Sequence, residues 1–123
     1  MLMRFIFDNE KPIYIQLVDQ LRVAVISGAY APGERLPSVR ELAVCAKVNP
    51  NTMQKALTQL EGEGLIYTER TNGKFVTDNS AVVEEAKKQL ALDKVRRYLD
   101  EMEKIGVSFD DAVKYLHDFG GED

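Results

Sequence analysis

The chain has 123 residues, 45% of them hydrophobic and 29% charged, with eight Gly, four Pro, no Trp and a net charge of −4. That length suits one domain, or one small domain with an appendage, and excludes a dinucleotide-binding dehydrogenase, a kinase or a (β/α)8 barrel. No apolar run approaches the roughly 18 residues of a membrane span, the first residues lack the apolar core of a secretion signal, and the lone Cys45 can form neither an internal disulfide nor a paired-cysteine metal site, which fits a reducing cytoplasm.

Asp8-Asn9-Glu10-Lys11 reads as a turn into a first helix, with Pro12 at its first position. Ile13, Leu17, Leu21 and Val25 then recur every four residues, joined by Val18 and Ile26, as one apolar stripe. Gly28 ends this helix, and Ala29-Tyr30-Ala31-Pro32-Gly33 is a connector. Ser38 and Glu41 form the signature of a capping box, so a short second helix starts there. It must end before Asn49-Pro50, which provides an N-cap and a first-turn proline for a third helix. Met53, Ala56, Leu57 and Leu60 give that helix its core face, and Gly62 and Gly64 close it. Leu65-Ile66-Tyr67-Thr68-Glu69 is strand-like, Asn72-Gly73 signals a hairpin, and Lys74-Phe75-Val76-Thr77 returns.

Residues 1–78 therefore read as a helix-turn-helix with a β wing. They carry nine Lys/Arg and nine Asp/Glu, whereas residues 79–123 carry seven and eleven and hold the whole negative excess. The second segment is helical. Asp78-Asn79-Ser80 is a polar break and N-cap before a run without breakers, in which Val83, Ala86, Leu90, Leu92, Val95, Leu99 and Met102 recur at helical spacing, and Gly106 closes it. Ser108 and Asp111 open a last helix bearing Phe109, Ala112, Val113, Leu116 and Phe119. Two such helices cannot make a robust core alone. They pack either on a second copy of the chain or back on the winged helix.

The chemistry concentrates at the start of the third helix. In a helix-turn-helix the amino end of the second helix of the unit enters the major groove. Here that end is Asn49-Pro50-Asn51-Thr52-Met53-Gln54-Lys55. Asn and Gln suit adenine, the Thr methyl suits thymine, and Lys suits guanine or phosphate. Arg40 stands in the first turn of its helix, where a cation opposes the dipole, so its placement is better explained by a ligand than by helix stability. Arg70, Asn72 and Lys74 sit at the hairpin tip, where a wing meets DNA backbone or minor groove. Each of these also fits an ordinary solvated surface. No catalytic constellation stands beside them: His117 is the single histidine, with no Cys or second His near it. Cys45, among Leu42, Ala43, Val44 and Ala46, reads as a small buried side chain.

Taken together, Gly28-Ala29-Tyr30-Ala31-Pro32-Gly33-Glu34-Arg35-Leu36-Pro37-Ser38-Val39-Arg40-Glu41-Leu42-Ala43, then Val48-Asn49-Pro50-Asn51-Thr52, Leu60-Glu61-x-x-Gly64-Leu65-Ile66 and Gly73-Lys74-Phe75-Val76, resemble the GntR family of bacterial transcription regulators. The match spans about residues 10–78. Pro12-Ile13-Tyr14-x-Gln16-Leu17 and the Asn-Pro-Asn-Thr helix start are most similar to its YtrA subfamily, whose members carry a short two-helix dimerisation tail. Thr71 departs from the glycine common at family wing tips, Lys55 from an arginine and Ala46 from a leucine.

The resemblance implies a mainly α fold: a winged helix-turn-helix DNA-binding domain over 1–78 and a dimerisation tail over 79–123. It implies a sequence-specific, cytoplasmic regulator, a repressor binding a palindromic double-stranded operator as a homodimer. DNA contacts would come from Arg40, Asn49, Asn51, Thr52, Gln54 and Gly73 with its neighbours, and backbone contacts from Arg35 and Lys55. Arg40 on guanine would be worth about 1–3 kcal/mol of discrimination. Leu92, Val95, Leu99, Met102, Phe109, Val113, Leu116 and Phe119 are the candidate dimer interface. No enzyme activity, cofactor, metal or membrane partner is expected, and nothing in the residues specifies a small-molecule effector. A winged helix that binds a protein partner is the competing expectation.

Overall fold

The computed structural model describes residues 3–120; Met1 and Leu2, read above for a secretion signal, and residues 121–123 of the tail lie outside them. The elements follow the expected order: α1 (Ile13–Ile26), α2 (Val39–Ala46), α3 (Pro50–Gly62), β1 (Ile66–Glu69), β2 (Gly73–Val76), α4 (Ser80–Lys104) and α5 (Phe109–Phe119). They form two compact units, Met1–Ala86 and Lys87–Asp123.

In the first unit the helix starts are set by local side chains. Ser38 Oγ accepts the Glu41 amide at 3.1 Å while the Glu41 carboxylate accepts the Ser38 amide at 2.9 Å, closing the capping box on α2. Asn49 Oδ1 accepts the Asn51 amide at 2.7 Å, and Pro50 opens α3. Pro12 stands one place earlier than expected, as the cap of α1 with an extended ψ of 128°, and a turn closed by the Lys11 amide on the Asp8 carbonyl joins it to the preceding arm. Gln16 and Gln20 hold that arm: each side-chain amide both accepts from and donates to one backbone residue, Gln16 at Asp8 (2.7 and 2.8 Å) and Gln20 at Ile6 (3.1 and 2.7 Å). Phe5 and Phe7 stack at 6.0 Å and pack on the core.

Leu17, Leu21, Leu42, Met53, Leu57, Leu60, Leu65, Ile66 and Val76 are buried together, so α1, α2, α3 and the hairpin share one core. Val82, Val83 and Ala86, on the first turns of α4, pack against it. Cys45, expected to be buried, is only half-buried, and its neighbour Val44 is exposed, because the inward face of this short helix is taken by Leu42, Ala43 and Ala46.

The wing is an antiparallel hairpin in register Ile66↔Val76 to Glu69↔Gly73, so its loop is the three residues Arg70, Thr71 and Asn72. The Asn72 amide donates to the Glu69 carbonyl, and Gly73 takes a φ of +103°, open to glycine at little cost. The far edge of β2 is covered as well. Leu36 donates to Lys74, Val76 to Glu34 and Gly33 to Val76, and Arg35 bridges Phe75. The connector before α2 is thereby tied to the wing.

In the second unit Tyr98 on α4 donates its hydroxyl to the Ala112 carbonyl of α5 at 2.7 Å, and Ala112 is fully buried. Gly106 in the left-handed region turns the chain between them, and Ser108 Oγ caps α5 by accepting the Asp111 amide.

Candidate nucleic-acid interface

The apolar face of α3 is consumed by the core, and that fixes what its other face displays. With Met53, Ala56, Leu57 and Leu60 buried, Asn49, Asn51, Gln54 and Lys55 are exposed and Thr52 is half-buried. The Asn49 oxygen is spent on the cap, which leaves its amide nitrogen to face outward chemistry as a donor. Gln54 donates to Thr58 one turn on at 3.2 Å, an exposed bond that exchanges readily for a ligand. Tyr14, quoted above only as part of a family motif, anchors α1 on this helix: its hydroxyl donates to Gln59 at 2.9 Å and lies 3.4 Å from the Lys55 carbonyl.

Arg40 is exposed on the first turn of α2. The acids nearest in sequence do other work. Glu41 closes the capping box, and Glu34 accepts the Ala31 amide at 2.7 Å. The backbone amide of Ser38 holds the Glu41 carboxyl below the usual carboxylate range, with its hydroxyl and the Arg35 charge assisting. Arg40, Lys47 and Lys55 have no ion-pair partner among the described residues. Two other cations of this unit, Arg22 and Lys74, are spent internally. Arg22 binds Glu63 at 2.6 Å and Asp19 at 2.9 Å.

At the wing, Arg35 lies across Gly73, its Nε 3.3 Å from where a glycine Cβ would stand. Lys74 is turned inward: its ammonium is 2.8 Å from Thr68 Oγ1 and 3.7 Å from Glu61, tying the hairpin to α3. Asn72 donates to Glu69 at 3.1 Å, and Arg70 is exposed at the tip. Tyr67 and Phe75 stack at 5.6 Å on one face of the hairpin. Arg35 and the wing residues are thus one cluster, and Asn49 to Lys55 another on α3.

Among the candidate interface positions of the second unit, Leu92, Val95, Phe109, Leu116 and Phe119 are exposed, Phe119 to 93%, and Leu99, Met102 and Val113 are half-buried. Ile105 and Tyr115, outside the expected set, are exposed apolar side chains too. Among the described residues no group of His, Cys, Asp or Glu is placed to hold a metal, and no helix is long and apolar enough to cross a membrane.

The family profile described as "Bacterial regulatory proteins, gntR family" matches residues 13–76. The chain is 31% identical to the HTH-type transcriptional repressor YtrA of Bacillus subtilis, over 93% of this chain and 88% of that one. It is similar in structure to a GntR family transcriptional regulator from Listeria monocytogenes, with a TM-score of 0.84 at 35% identity over 91% of this chain and 98% of that one. It also resembles the DNA-binding domain of AraR solved in complex with operator ORX1, with a TM-score of 0.52 at 26% identity over 62% of this chain and 93% of the other.

Proposed function

The chain belongs to the gntR family of DNA-binding transcription regulators, and on that premise we propose that it is a cytoplasmic repressor that grips a palindromic operator as a homodimer. The observation that carries the reading is the display of Asn49, Asn51, Gln54 and Lys55 on the amino end of a helix whose opposite face is buried. Residues 1–78 would bind DNA. Within them Arg40 would read guanine, Asn51, Thr52 and Gln54 base edges, and Arg35, Asn49, Lys55, Arg70 and Asn72 the backbone, with Gly73 admitting the wing closely and Lys74 bracing it. Similarity to a repressor and to a domain solved on its operator supports both the regulatory sign and the ligand.

Residues 79–123 would dimerise. The exposed apolar side chains Leu92, Val95, Phe109, Leu116 and Phe119 are costly in a monomer and are explained by a second copy. A two-fold dimer then demands a two-fold operator. The test is hydroxyl-radical footprinting on a duplex enriched by the chain from a random-sequence pool. Two symmetry-related protected patches support the reading; a single patch, or no enrichment, removes it.

A further inference from the structure

The turn between α2 and α3 contains the one non-glycine residue with positive φ among those described: Lys47, at φ 57° and ψ 44°. The backbone requires this conformation whatever the side chain. The Lys47 amide donates to Val44 and the Val48 amide to Ala43 at 3.0 Å, the double closure that ends a helix with a left-handed residue. Val48 is then tucked against the core. Glycine meets that demand without strain; a lysine, neither glycine nor one of the Asn and Asp residues that tolerate it, does not. Such outliers persist where a side chain is wanted for another purpose.

The charge pattern says which purpose. Arg22 and Lys74 of the same unit are neutralised by Glu63, Asp19 and Glu61, whereas exposed Lys47 has no ion-pair partner among the described residues, like Arg40 and Lys55 on the flanking helices. Lys47 stands two residues before Asn49, the N-cap of α3. The geometry points to Lys47 as a further DNA-contacting residue, its ammonium on a backbone phosphate beside the amino end of α3. A phosphate there would be held by a mobile point charge that carries no sequence information, adding affinity and salt dependence. This inference rests on the DNA-binding reading above.

Three variants test it on the enriched duplex, by anisotropy across a salt series and by thermal unfolding. Lys47→Gly relieves the strain and removes the charge, so its unfolding midpoint should rise by roughly 2–8 °C. Its binding should weaken, and the slope of log affinity against log salt should fall by about 0.9 for each Lys47 lost. Lys47→Gln should lose the same slope without the gain in stability, and Lys47→Arg should keep the slope. If the Gly and Gln variants bind with the slope of the parent chain, Lys47 touches no phosphate and the proposal is overturned while the operator reading stands. If the parent chain enriches no duplex at all, both fall together.

Discussion

The guanidinium of Arg35 lies across the face of Gly73, with Nε 3.3 Å and Nη2 3.5 Å from the position of an absent Cβ. The two residues are far apart in sequence but meet because the connector before α2 runs along the outer edge of β2. Gly73 serves both the turn, at φ +103°, and the seat of the arginine. Gly73→Ala should therefore cost about 1–2 kcal/mol from the backbone alone and also displace Arg35. Thermal unfolding should show the loss, and operator affinity measured well below the new midpoint should fall as well. Unchanged affinity would mean that the seat of Arg35 has no bearing on binding.

Arg40 sits exposed with its nearby acids committed to backbone amides, so removing it should leave the fold intact. Arg40→Ala is expected to keep the unfolding midpoint while losing about 1–3 kcal/mol of discrimination at one guanine of each half-site. Competition with single-base variants of the operator reads this directly. A uniform loss across all sequences would reassign Arg40 to the backbone.

Helix caps, the buried stripe of α3 and the order of elements were legible in the sequence because each depends on residues within a few positions of one another, as with Ser38 and Glu41 or Asn49 and Asn51. Long-range partners were not. Lys74 reads as a wing-tip cation until the fold brings Glu61 and Thr68 beside it. Nothing local marks Gln16 and Gln20 as the pair that clasps the amino-terminal arm at Asp8 and Ile6. Lys47 carried no signal either, because its conformation follows from how α2 must end, where glycine is the residue a reader looks for. At the candidate interface, residue types at the start of α3 were visible, but the Arg35 seat on Gly73 needed the connector laid along the outer edge of β2.

Arg22 and Glu63 link α1 to the end of α3 through two hydrogen bonds, 2.9 Å at Nε and 2.6 Å at Nη2. The Arg22 hydrogen bond holds the Glu63 carboxyl below its ordinary range, against the opposing pull of burial. A carboxyl depressed on folding adds stability that is complete above its unfolded pKa, near 4.3, and is lost as pH falls through the folded value. Glu63→Gln should thus be less stable at neutral pH, by about 1 kcal/mol or less for a pair this exposed to solvent. The two proteins should converge in acid. Denaturant titrations across pH check this; a constant gap down to pH 3 would show that the charge is not the source.

Leu116 is 51% exposed on α5. A charge placed there costs an isolated protomer little but a packed interface a great deal. Leu116→Glu should shift the chain from dimer to monomer in sedimentation equilibrium, with helix content unchanged, and should weaken operator binding through lost avidity. A variant that stays dimeric would place the interface elsewhere.

The most direct test of the central claim is fluorescence anisotropy on the duplex upstream of the gene that encodes this chain, against a scrambled duplex of the same composition, across a salt series. A sequence-reading regulator binds the native duplex far more tightly, and both affinities fall steeply with salt, because phosphate contacts underlie each and base contacts only the first. Equal, weak binding to both duplexes, also at low salt, would contradict the assignment of the exposed face of α3 to operator recognition.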